Sequence, residues 1–323
     1  MMIWMDDALF SGSRYIDCLS VLHNAAIRGH SLTISNDPSA RRGSPNFDEW
    51  KRSLSEKIKH EVDNILDKLK VIPSNIADRG FSKRLLITNR EFSISNVCFV
   101  RLDEAVRAVS LPLHILVENQ INDAAFLRHV MPPDCREELE KLERRGQIRY
   151  IQGGGLTEIL KLIKFHIKDD NSRLVFGLPA DVWKLLHFII YDHDGKTSDS
   201  PSYDSKKTYL ICEDNDMLHR SHRLMRKSQE NYIPVDALKE IVNFKKKINN
   251  SQKEETQRNI GSYEKSGDKR FFEDVVKLSS NEKLFKSVFG EDAYEEIWKD
   301  EWFEKDGSWP EMRKLAESIV SSM

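Results

Sequence analysis

Carboxylates in this chain recur at the ends of apolar runs. Glu118 closes LHILVE, Asp192 and Asp194 close FIIYDHD, and Glu230 follows HRLMRK in the segment RKSQENYIP. In a parallel sheet the carboxyl ends of the strands gather on one rim, and that rim is where ligands bind. Side chains two apart on a strand point the same way, so Asp192 and Asp194 are expected to offer oxygens to one ion while His193 turns away. Four carboxylates on one edge repel, and a hard cation such as Mg²⁺ or Mn²⁺ bound through oxygen relieves the repulsion. Such an ion activates water or bridges a scissile phosphate and its leaving oxygen. Singly the pieces say little: a strand-terminal Glu is often solvated, Asp-x-Asp is common in loops, and Gly153-Gly154-Gly155 is usually a turn. The signal is the set, in order, at successive strand ends.

The elements that must position these residues follow from periodicity. From Leu111 to about Asp236, short apolar runs alternate with helical stretches, as a parallel βαβ sheet is written. LHILVE reads as the first strand, followed by a helix over DAAFLRHVM that Pro132 and Pro133 stop and a second helical piece, REELEKLERRG. QIRYIQ is the second strand, running into the three glycines and a helix over LTEILKLIKFHI. KLLHFIIYD is the third strand, opening into HDGKTSDSPS, and YDSKKTYLICEDN is helical before a short fourth strand around HRLMRK.

Residues 1–108 read as an N-terminal α+β region: a weakly patterned start, a turn-rich segment over 36–46, one amphipathic helix from Phe47 to Lys70, and strands at RLLIT and VCFVRL. Residues 237–323 read as a helical C-terminal region. There KKKINNSQKEETQRN is either a link or an exposed helix, and Phe271, Phe272, Phe285, Phe289, Trp298, Trp302, Phe303 and Trp309 call for a packed unit.

With order and spacing established, residues 109–236 resemble the Toprim domain, in particular the versions found in OLD-family nucleases and related bacterial anti-phage defence proteins. LHILVEN, the turn IQGGG, FIIYDHDG and LMRKSQENYIP carry the resemblance. It implies a Toprim-like parallel sheet flanked by helices and a Mg²⁺- or Mn²⁺-dependent nuclease cleaving phosphodiester bonds of DNA or RNA. It also implies Glu118 as metal ligand or general acid/base, Asp192 and Asp194 as metal ligands, and Glu230 as a further acidic ligand. Arg226 and Lys227, matching the basic residues before Glu-Asn-Tyr, would hold phosphate or offset charge in the transition state. Lys196 stands between two readings, a phosphate contact near the metals and a solvated loop lysine. Two departures bear on the first motif: Asn119 stands where the family prefers Gly, and the acidic residue expected four positions after Glu118 comes one later, as Asp123, with Asn122 in its place. The loop after the first strand is thus one residue longer or differently wound.

The remaining composition narrows the classes. Fifty Lys+Arg against fifty-two Asp+Glu give a net charge of −2, so nothing global marks a polyanion-coating protein. Four dispersed cysteines suggest neither a disulfide framework nor a structural zinc site. Asp6 and Asp7 spoil a secretory signal and no apolar stretch reaches membrane-spanning length, so the expected location is cytoplasmic with no membrane partner. Asp194-Gly195-Lys196-Thr197 lacks the earlier glycine of a P-loop, position 190 being Ile190. His187, His193, His219 and His222 lack metal-ligand spacing and are read as surface or packing residues. No ATPase is visible beside the Toprim-like segment, so the expectation is an independent defence effector or the nuclease partner of an ATPase or other defence-system subunit, with a homo-oligomer as an option. The rival reading is a catalytically degenerate Toprim module used in binding or assembly, which Asn119 favours and the four retained carboxylates oppose.

Overall fold

A computed structural model of the chain describes residues 2–12, 14–36, 44–71, 84–90, 97–167, 179–244, 250–265, 270, 275–279, 284–286 and 288–323. It is an α/β protein built on two wholly parallel sheets.

The first sheet contains β1 (Met2–Asp6), β2 (Ser31–Ser35), β3 (Lys70–Val71), β4 (Arg84–Ile87) and β5 (Val97–Val100) in the order β3-β2-β1-β4-β5. Helices α1 (Tyr15–Arg28), α2 (Pro45–Ser53), α3 (Glu56–Lys68) and α4 (Leu102–Ser110) accompany it. The first 108 residues are therefore α/β, not the α+β arrangement the sequence suggests. The weak pattern at the start has a physical cause: β1 is central and buried along its whole length, and such strands lack polar alternation. The single helix expected from Phe47 to Lys70 is two. Leu54 is extended, and Ser55, also extended, starts α3. The break lets Phe47 and Trp50 close on Phe10, at ring separations of 4.9 and 5.1 Å, while Val62 and Ile65 are buried from a separate helix. Most of the turn-rich segment lies outside the described residues.

The second sheet has β6 (Leu113–Val117), β7 (Ile148–Gln152), β8 (His187–Tyr191) and β9 (Ser221–Arg223) in the order β7-β6-β8-β9, all parallel. Its helices are α5 (Gln120–Val130), α6 (Pro133–Arg144), α7 (Leu156–Ile167), α8 (Ala180–Leu186) and α9 (Tyr203–Asp214). The apolar stretch expected as the third strand divides, since its first residues, Lys184 to Leu186, end α8. Leu116, Ile189 and Tyr191 form one face with Ile159 and Ile163 of α7, Trp183 of α8 and Cys212 of α9. Ile115, Val117, Phe188 and Ile190 form the other.

That second face is covered by the C-terminal region, which contains α10 (Val235–Phe244), α11 (Asn250–Glu264), α12 (Asp300–Asp306) and α13 (Trp309–Ser321). Leu238, Ile241, Tyr263, Phe285, Phe289, Phe303, Leu315 and Ile319 join the core of β6 and β8. Residues 237–323 thus complete the second sheet and are not a separate helical domain. Phe271 and Phe272 lie outside the described residues, as do positions 245–249 of the polar stretch. The rest of that stretch is α11. The two sheets are themselves joined, because Val182, Leu185 and Leu186 of α8 enter the first core and Gln147, just before β7, donates to the Ile27 carbonyl of α1 at 3.4 Å. Among the described residues no helix is long and apolar enough to cross a membrane.

A shared core makes a mutational prediction. Phe285→Ala should cost about 3–5 kcal/mol and shift one cooperative denaturant transition of the whole second sheet. A separate C-terminal transition, seen by tryptophan fluorescence while the sheet stays folded, would contradict it.

Candidate active site: a carboxylate rim

The strand ends converge. Glu118 follows β6, Asp192 follows β8, and Glu230 lies in a short 3-10 turn (Gln229–Tyr232) after β9. Glu118 is held from three sides. Gly153 N–H donates to the Val117 carbonyl at 2.6 Å and Gly154 N–H to the Glu118 carbonyl at 3.0 Å, so the glycine turn lies flat against the end of β6. At Gly155, φ is +100° and a Cβ would stand 4.0 Å from Glu118 Oε2, so glycine suits both the backbone and the contact. Backbone N–H groups of Asp192 and of Leu156, the first residue of α7, donate to the Glu118 carboxylate. Its Oε1 is nevertheless buried with no hydrogen-bond partner. Burial, then the charges of Asp194 and Asp123, push the Glu118 carboxyl up to about 7.

Asp192 is the hub. Burial raises its carboxyl well above the usual carboxylate range, and Glu118, Glu230, Asp194 and Asp123 all add to the shift. Asp194 does not face the rim by strand alternation, because β8 has ended and Asp194 takes a left-handed φ of +53°. The conformation is fixed by Asp194 N–H donating to the Lys227 carbonyl at 2.7 Å. Burial raises the Asp194 carboxyl, Lys227 opposes the shift and Glu230 adds to it. His193 is buried and braces the loop: its Nδ1 accepts from Gly195 N–H at 3.1 Å and its Nε2 lies 3.1 Å from the Ser198 carbonyl. A Cβ on Gly195 would stand 2.1 Å from the Ser200 carbonyl oxygen, which explains the glycine of Asp-His-Asp-Gly.

Asp123 completes the set, and the sequence ranked it too low. Asn119 is no strained substitute for glycine. It has φ −128°, and its Oδ1 accepts from Ile121 and Asn122 N–H, capping α5. The cap winds the first turn so that Asp123, five residues after Glu118, accepts from Asn119 N–H at 3.0 Å and from the Gln229 side chain. Burial raises its carboxyl as well, and Glu230 adds to the shift. Gln229 in turn accepts from Asn122 Nδ2 at 3.0 Å, and Ser228 Oγ donates to Glu230 Oε2 at 2.7 Å.

The four sequence-predicted carboxylates therefore come together, with Lys227 in charge range of Asp194 and Lys196 exposed on the loop beyond. Arg226 does not join them. It is 6 % exposed, donates to the Asn231 and Asp306 carbonyls at 2.8 and 3.2 Å, pairs with the Asp306 carboxylate at 2.6 Å and lies 4.6 Å from the Tyr232 ring centroid. Its guanidinium is spent on the C-terminal helices, so the phosphate-binding role expected for it is withdrawn. Next to it, Glu311 of α13 accepts from Tyr232 Oη at 2.6 Å and Met225 N–H at 2.8 Å, tying down the segment that bears Lys227 and Glu230.

An all-oxygen donor set, a buried carboxylate oxygen without a partner and mutual repulsion suit a hard divalent cation in charge and donor type. Among the described residues, no three His, Cys, Asp or Glu side chains are grouped so that they could hold a metal ion. The chain matches no family model, no curated protein and no solved structure in comparisons with all three.

Two outcomes follow. A carboxyl raised on folding stabilises the protein below its unfolded value and loses that contribution as pH climbs to the folded value. Without divalent metal, stability should therefore fall between about pH 4.5 and 7 by on the order of 1–3 kcal/mol, and Glu118→Gln should flatten that slope in pH-resolved melts. Arg226→Ala should cost about 3–5 kcal/mol by breaking the buried guanidinium's pair with Asp306, measured by urea denaturation.

Proposed function

We propose that the protein is a divalent-metal-dependent phosphodiesterase acting on DNA or RNA, with a Toprim-type catalytic domain over residues 109–236. The observation that carries this reading is the cluster around Asp192: carboxylates from separate strand ends share one rim, and the proton affinity of Asp192 and Glu118 is raised by burial and by their acidic neighbours. Carboxylates packed this way destabilise a fold, and a cation offsets that cost.

In this reading Glu118, Asp192, Asp194 and Glu230 would hold Mg²⁺ or Mn²⁺, which when bound supplies Lewis acidity toward phosphate oxygens and helps water ionise. Glu118, titrating near neutrality, can accept or release a proton at its free oxygen. Lys227 balances the charge of Asp194 and would meet a phosphate, with Lys196 further out on the loop after β8. Asp123 sets the Asn119 cap and shares the charge load. The setting that the motif resemblance suggests is anti-phage defence, alone or beside an ATPase or other subunit.

A second reading keeps the rim but not the chemistry, as a binding or assembly module. That no three such side chains among the described residues are grouped to hold a metal ion favours it.

Purified protein incubated with plasmid DNA and with structured RNA, with Mn²⁺, Mg²⁺ or EDTA, separates the two. Metal-dependent cleavage that drops by about 100-fold or more in Glu118→Ala and Asp192→Ala, with melting temperatures equal to or above wild type, is the expected outcome. Cleavage absent under every metal condition, or equal in wild type and both variants, would exclude the nuclease reading.

A further inference from the structure

A second polar constellation occupies the other end of the second sheet. Arg149 of β7, His114 of β6 and His187 of β8 lie side by side in register near the amino ends of their strands, whereas the carboxylates lie past the carboxyl ends. These three, with His166 of α7 and Trp183 of α8, line a cavity of about 420 Å³. Leu116, Ile151 and Leu162 give it aliphatic walls. Its size and mostly apolar lining with a few convergent polar groups are those of a small-molecule site.

The rings have spent their faces on one another. Trp183 stacks with His187 at 4.1 Å and with His166 at 4.9 Å, and His187 meets His114 at 5.0 Å. What remains is their edges. His187 is 5 % exposed, and its Nδ1 lies 2.7 Å from the Trp183 carbonyl, to which it must donate. Burial pushes this imidazole down to about 3 and lowers His114 and His166 too, so the rings are neutral at physiological pH. With Nδ1 carrying the proton, His187 Nε2 is an acceptor, and no described residue donates to it. Trp183 Nε1–H is a donor likewise without a partner among the described residues. An imidazole acceptor and an indole donor lining the same largely apolar cavity match the edge of a nucleobase, whose ring nitrogens accept and whose exocyclic amine donates. At the rim Arg149 is exposed and forms no ion pair among the described residues. One free guanidinium suits one phosphate.

We propose that this cavity binds a nucleoside monophosphate, its base against Trp183 and His187 and its phosphate on Arg149. The site is independent of the nuclease reading, since none of its residues belongs to the carboxylate rim.

Titration calorimetry of the full chain with 5′-AMP and 5′-GMP, in EDTA so that the rim holds no metal, tests it. Binding by at least one nucleotide is expected, weakened about tenfold or more by Arg149→Ala, abolished by Leu162→Trp, which fills the cavity, and unchanged in Asp192→Asn. Adenosine and guanosine should bind correspondingly less well than their monophosphates, and inorganic phosphate alone should not bind. The proposal is overturned if neither nucleotide binds at millimolar concentration, if nucleosides bind as well as their monophosphates, or if Arg149→Ala has no effect. Binding that is lost in Asp192→Asn but kept in Leu162→Trp would place the nucleotide on the rim and overturn it too. Because Arg149 is exposed, its variant keeps the test valid should Leu162→Trp fail to fold.

Discussion

Like charges around the end of β8 repel, and much of the surrounding architecture serves to hold them there. Asp192 takes the burden from Glu118, Asp123, Asp194 and Glu230, and each unit of pKa displacement corresponds to about 1.4 kcal/mol. Each neighbour has its own local support. The first residue of α7 donates to Glu118, the Asn119 cap and Gln229 donate to Asp123, Lys227 faces Asp194, and Ser228 donates to Glu230. These supports come from different elements, so the rim exists only where the turn after β7, the start of α5 and the segment after β9 are all in place.

A strand-terminal carboxylate alone does not make such a rim, as the first sheet shows. Asp6 ends its central strand as Asp192 follows a strand of the second. Yet Asp6 accepts from Thr88 Oγ1 at 2.6 Å, Ala8 N–H at 3.0 Å and Arg90 Nε at 2.7 Å. Asp7 accepts from Phe47 N–H at 2.8 Å and from Asn46. Both carboxylates are satisfied by donors. What distinguishes the second sheet is unrelieved charge, which is the property a cation or a proton can answer.

The residue order made the second sheet legible. Its strands are short apolar runs with carboxylates just beyond them, and Glu118, Asp192 and Glu230 could be placed on one edge by the rule for parallel sheets alone. Asp194 reached the rim for a different reason, a left-handed turn pinned by Lys227, which alternation does not foresee. Asp123 was obscured by a shift of one position, although Asn119 just after the strand, followed by a helical run, is a cap signal that would have located it. Arg226 was misread because sequence does not show burial: its partner, Asp306, is eighty residues away. The same holds for the C-terminal aromatics, whose spacing called for a packed unit but could not say that its other half was the sheet itself.

The placement of Glu311 links the rim to the order in which the chain is made. Helix α13 grips Tyr232 and Met225, the residues on either side of Lys227 and Glu230, so the acidic edge is unfinished until α13, about eighty residues further along the chain, has been made. Synthesis runs from the amino end and domains generally fold as they appear. The strands bearing Glu118 and Asp192 are therefore made well before the helix that fixes their counterpart. A copy made only as far as Glu230 would carry the charges without the clasp that organises them, which delays assembly of the edge until α13 has followed.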